Sequence, residues 1–120
     1  MSGLGFGQVA IDCDDAARLA EFWSALVGRP VDPGASAYFA LVPASEDRTF
    51  PALMFLKVPE PRTGKNRWHL DLYSADPAAD VVRAVELGAK QVSDYDEYGT
   101  KWTTLEDPEG NLFDIGLAHD

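Results

Sequence analysis

Between Asn66 and Tyr73 the chain alternates, with Trp68, Leu70 and Leu72 on one side of an extended backbone and Arg67, His69, Asp71 and Tyr73 on the other. A period of two over this length predicts a strand with one packed face and one free face. Phe6 to Cys13 has the same parity, with Val9, Ile11 and Cys13 on the packed side and Gln8, Ala10 and Asp12 on the free side. Helical spacing follows each strand. Leu19, Phe22, Trp23, Leu26 and Val27 form one stripe, Arg18, Glu21 and Ser24 stay outside it, Asp14 or Asp15 is placed to cap, and Gly28 with Pro30 ends the run. In the second case Asp76 is the cap, Pro77 takes the first helical position, Val81, Ala84 and Val85 form the stripe, and Gly88 ends it. Tyr38 to Val42 and Ala52 to Val58 predict strands after the Asp32-Pro33-Gly34 turn. Lys101 to Glu106 and Asn111 to Leu117 predict a hairpin across Asp107-Pro108-Glu109-Gly110, where the proline and glycine positions favour a type I turn.

The two halves repeat one another. A shift from position 8 to position 69 sets Gln8-Val9-Ala10-Ile11 on His69-Leu70-Asp71-Leu72, Asp15 on Asp76, Leu26 on Leu87 and Val31 on Val92 without a gap. Each copy reads as strand, helix and three further strands, so a strand is expected near Val31 and another near Val92. Residues 1–58 and 66–117 are then two βαβββ modules of a single domain spanning 1–120, joined by the Pro- and Gly-bearing segment 59–65. The predicted class is α+β, with a helix covering one face of each sheet and the other face left to line something.

Charge narrows the partners. Ten Lys and Arg against twenty Asp and Glu give a formal charge of −10, which repels phosphate backbones and anionic membrane surfaces, so neither nucleic acid nor membrane is an expected partner. The sequence shows no bilayer-length apolar run and no signal-peptide pattern, and a lone Cys13 excludes an internal disulfide. A cytoplasmic location is the expectation. Phe22, Trp23, Trp68 and Phe113 are assigned to the core, and His119 to a frayed end.

The doubled module, Phe22-Trp23 ahead of Gly28, the His69 strand, and Asp107-Pro108-Glu109-Gly110 followed by Asp114 together resemble the vicinal oxygen chelate superfamily, in particular its glyoxalase-like and bleomycin-resistance-like proteins. The resemblance implies a cup-shaped mixed sheet, a homodimer, a small-molecule ligand and a divalent metal ion such as Zn, Ni, Mn or Fe. By position, it implies Gln8, His69 and Asp114 as metal ligands; the place of a fourth carries Met54, whose soft sulfur suits those cations poorly. Asp71 is the nearest candidate for a general base. Arg67, Tyr38, Phe55 and Trp102 are candidate substrate contacts. Two functions follow: metal-assisted lyase or isomerase chemistry on a small oxygenated metabolite, or a non-catalytic protein that sequesters an antibiotic-type aromatic compound beside a degenerate metal site. By spacing alone His69 reads more readily as a solvated, hydrogen-bonded histidine than as a ligand, Asp114 also reads as a surface carboxylate, and the Lys57, Arg62, Lys65 and Arg67 cluster reads more readily as a charged linker than as an anion site.

Overall fold

The computed structural model describes residues 3–97 and 99–117, so His119 lies outside the described residues. The chain forms two compact units, Met1–Pro61 and Arg62–Asp120.

In the first unit, β1 (Gln8–Cys13) leads into α1 (Ala16–Val27), followed by β2 (Phe39–Val42) and β3 (Ala52–Lys57). The Asp15 carboxylate accepts the Arg18 N–H at 3.3 Å, satisfying one of the unpaired donors at the helix start. Gly28 closes the helix in the left-handed conformation, φ 72°, which a side chain would strain. The sheet order is β1-β3-β2, with β1 parallel and β2 antiparallel to β3. Leu19, Phe22, Trp23 and Leu26 are buried on α1, and Ala40, Val42, Leu53 and Phe55 are buried on the strands beneath. Each large side chain so buried stabilises the unit by about 1.5–3 kcal/mol. The strand expected at Val31 is not among the elements of the described residues. Pro30 and Pro33 flank it and lack N–H groups; between them the Asp32 N–H donates to the Leu41 carbonyl at 2.8 Å, one ladder-like bond without a regular strand around it.

In the second unit, β4 (Asp71–Ser74), α2 (Pro77–Leu87), β5 (Lys90–Glu97), β6 (Thr100–Glu106) and β7 (Leu112–Leu117) give a sheet of order β4-β7-β6-β5. Asp76 caps α2 through the Ala79 N–H at 3.3 Å, repeating the role of Asp15. Val81 and Ala84 are buried, together with Leu105, Phe113 and Ile115 of the sheet. Val85, expected on the same stripe, is exposed: only a narrow part of this helix meets the sheet. In the β6–β7 turn the buried Asp107 carboxylate accepts the N–H groups of Glu109 and Asn111 at 2.9 and 3.0 Å, a local network that fixes where β7 begins.

Two expectations fail at the start of this unit. Regular pairing begins at Asp71 rather than Asn66, because the Asn66 side chain occupies the edge of β7: its Oδ1 accepts the Leu112 N–H at 2.9 Å and its Nδ2 donates to the Leu112 and Trp68 carbonyls. Trp68, assigned to the core by alternation, is 90 % exposed, since the strand face that would have buried it does not extend that far. No described helix is long and apolar enough to cross a membrane.

Candidate functional site

The open face of the second sheet is built in rows by strand pairing. Asp71 on β4 stands opposite Asp114 on β7, and Asp114 opposite Thr104 on β6. One pleat further along, Tyr73, Gly116, Trp102 and Tyr95 stand side by side across all four strands. His69 precedes β4 in the same parity as Asp71, and the adjoining backbone is held by the Asp114 N–H on the Leu70 carbonyl at 2.9 Å.

His69 Nε2 lies 3.0 Å from Asp71 Oδ1 and 3.2 Å from Asp114 Oδ2. One ligand atom from each of the three residues falls within 4.8 Å of the others. An imidazole nitrogen with two carboxylate oxygens is a donor set suited to hard and borderline divalent cations, and three such groups leave coordination positions open. The two carboxylates are not equivalent: the Asp71 side chain is 62 % exposed and that of Asp114 16 %. Burial pushes the Asp114 carboxyl above its ordinary value, and neighbouring Asp71 adds to the rise, while the Thr104 hydroxyl, donating to Asp114 Oδ1 at 2.6 Å, and His69 oppose it.

Beside the cluster lies a groove of about 570 Å³, lined within this unit by His69, Asp71, Asp114 and Thr104 at one part and by Tyr73, Tyr95 and Trp102 at another. Tyr95 and Trp102 are stacked, with ring centroids 5.2 Å apart and planes inclined by 18°. Tyr95 reaches this face because β5 carries a bulge between Gln91 and Ser93, which inverts the parity of the residues beyond it.

The expected site residues divide accordingly. His69, Asp71 and Asp114 come together, and Trp102 lines the groove beside them. Arg67 is exposed and outside the groove lining. Gln8 and Tyr38 belong to the first unit, Gln8 exposed at the start of β1 and Tyr38 exposed just before β2. Phe55, a candidate substrate contact by sequence, is fully buried: on β3 it has the parity of Leu53 and belongs to the core, whereas Met54 has the opposite parity. Met54 pairs with Ala10 as Asp114 pairs with Asp71, so the first unit carries no carboxylates at the matching places. Tyr73, Tyr95, Thr104 and Gly116 were not expected in the site. The signals available for them were a threonine and a glycine inside predicted strands, and Tyr73 sharing the parity of His69.

Strand-helix units repeated in this manner, each with a small mixed sheet, define a class of small α+β proteins. Residues 8–116 match the glyoxalase-like domain family, and the chain belongs to it, within the vicinal oxygen chelate superfamily. A glyoxalase/bleomycin resistance protein/dioxygenase family enzyme from Burkholderia phytofirmans is similar in structure with a TM-score of 0.76 at 18% identity, over 94% of this chain and 98% of its own. Lactoylglutathione lyase from Agrobacterium tumefaciens follows with a TM-score of 0.66 at 16% identity, over 95% and 93%. TioX from Micromonospora sp. ML1 has a TM-score of 0.65 at 17% identity, over 94% and 98%. At these identities the likeness is one of fold. No curated protein matches the chain in sequence.

Proposed function

We propose that this chain is a metal-assisted lyase or isomerase acting on a small oxygenated metabolite, with a divalent cation held by His69, Asp71 and Asp114. The observation that carries the reading is the convergence of those three donors at the wall of a groove large enough for a small molecule. A cation there supplies Lewis-acid polarisation of substrate oxygens and stabilisation of an oxyanion. Asp114, mostly buried and oriented by Thr104, is the fixed ligand. Asp71, the more exposed carboxylate, is the group we assign to take or return a substrate proton.

Chelator-treated protein melted with Zn, Ni, Mn or Fe tests the reading. A cation at a hundred times its dissociation constant adds about 2.7 kcal/mol to the folded state. His69→Ala removes that gain. A wild-type melt indifferent to all four cations refutes the enzyme reading in favour of a sequestering protein, the alternative that the Tyr95–Trp102 stack favours.

A further inference from the structure

We infer that the aromatic part of the groove is a slot for a flat aromatic or conjugated ring, with the Gly116 backbone as its floor and the Trp102–Tyr95 stack as one wall. The inference deepens the proposed function, and rests on it for placing the reactive end at the His69 cluster. It begins with the cross-strand row. Gly116 sits between Tyr73 on β4 and Trp102 on β6, so the two aromatic residues stand two strand spacings apart, about 9.5 Å at the backbone. A ring in contact on both faces needs about 7 Å, twice the optimal separation of carbon atoms.

A glycine between two aromatic residues is often covered by one of them. Among the described residues, no ring atom comes within 4.0 Å of where its Cβ would stand. A Cβ at position 116 would meet the Lys101 carbonyl oxygen at 3.3 Å and Trp102 Cβ at 3.4 Å, and the third nearest atom, at 4.0 Å, is Trp102 Cα. No indole atom stands closer over the glycine, because the ring is engaged by Tyr95 on the far side, 5.2 Å away and 18° from parallel. The β5 bulge that turns Tyr95 onto this face therefore also keeps the floor clear. Tyr73 borders the other side and is 67 % exposed. A side chain at 116 would occupy the floor and crowd the β6 backbone, which makes Gly116 the specificity-determining position. The neighbouring row, Asp71, Asp114 and Thr104, lies one pleat repeat away, about 6.6 Å. A ring seated on Gly116 thus directs oxygen substituents at one edge toward His69 and Asp114. The ligand class is a flat ring bearing hydroxyl or carbonyl oxygens.

Calorimetric titration with 2-naphthol and with decahydro-2-naphthol, its saturated and non-planar counterpart, tests the slot. The flat alcohol should bind about tenfold tighter, as face-to-face contact with an aromatic wall requires. A merely greasy surface would favour the saturated one. Gly116→Val should weaken 2-naphthol by about tenfold or more, and Trp102→Leu should do the same without altering the floor, so a failure of the first variant to fold does not protect the idea. Equal binding of the two alcohols, or wild-type affinity for 2-naphthol in folded Gly116→Val or in Trp102→Leu, overturns the slot. Zn melts of the same samples separate the two readings: naphthol binding without a Zn shift removes the cation and keeps the slot, and a Zn shift without planar preference does the reverse.

Discussion

Thr104→Val replaces a hydroxyl with a methyl of nearly the same shape and removes the 2.6 Å bond on Asp114 Oδ1. A hydrogen bond to a charged acceptor contributes about 1.5–3 kcal/mol, and the acceptor here is 16 % exposed, so water replaces the donor only in part. Two consequences follow. Losing an outer partner of a ligating carboxylate should weaken cation binding by roughly 10–100-fold, that is by about 1.4–2.7 kcal/mol. In the metal-free protein the variant should also be less stable at neutral pH, and the sign of its pH dependence is fixed by Asp114. Burial already raises that carboxyl in the folded state, so its ionised form costs stability above the folded pKa and the cost is relieved as pH falls through it. Removing the Thr104 donor raises the pKa further. The stability gap between wild type and variant should therefore be widest at neutral pH and narrow in acid, where protonated Asp114 no longer needs the donor. Denaturant melts at a series of pH values and a Zn titration read both effects. A cation affinity within twofold of wild type, or a stability gap independent of pH, refutes the assignment of Thr104.

Trp23 is buried and packs edge-on against Phe22 at 5.6 Å, so Trp23→Ala should cost about 3–5 kcal/mol while Glu21→Ala on the outer side of α1 costs under about 0.5; equal small effects in urea melts contradict the helix register. The Asp47 carboxyl is lowered to about 2 by the Thr49 N–H and the Ser45 and Thr49 hydroxyls, so the 45–50 loop should keep its order down to about pH 4 and lose it as pH falls toward 2, read as faster exchange of the Thr49 amide. Light scattering at micromolar concentration should give a homodimer, and Trp68→Asp, which charges the most exposed tryptophan, should shift it toward monomer; a wild-type monomer mass refutes this.

The periodicities of two and 3.6 carried most of the fold: β1, α1, β2, β3, α2, β6 and β7 lie within a few residues of the expected segments, and both aspartate caps stand where the repeat puts them. Alternation failed where a side chain replaced backbone pairing. Asn66 substitutes for a ladder partner of β7, and the apolar alternation of Trp68 with Leu70 gave no sign of it. For the candidate cluster, the alternation between Asn66 and Tyr73 put His69 and Asp71 on one face, whereas Asp114 entered only through the family resemblance carried by the Pro-Glu-Gly turn. Tyr95 was not legible, because a one-residue bulge reverses the face of every later residue and leaves no mark in composition. The burial of Phe55 is hidden for a related reason: an unbroken apolar run such as Ala52 to Leu56 does not tell which of two faces each residue takes.

The parallel pairing of β4 with β7 also governs when the site comes into being during folding. Asp71 and Asp114 are neighbours in space but 43 positions apart, and β7 must accept β6 on one side and β4 on the other. The β5–β6–β7 meander can zip through short hairpins, whereas docking β4 closes a long loop and is entropically the slower event. The paired carboxylates should therefore come together in the final stage of the second unit's folding. A cation added to refolding protein should leave the early kinetic phases untouched and act only after β4 has docked, by slowing its departure.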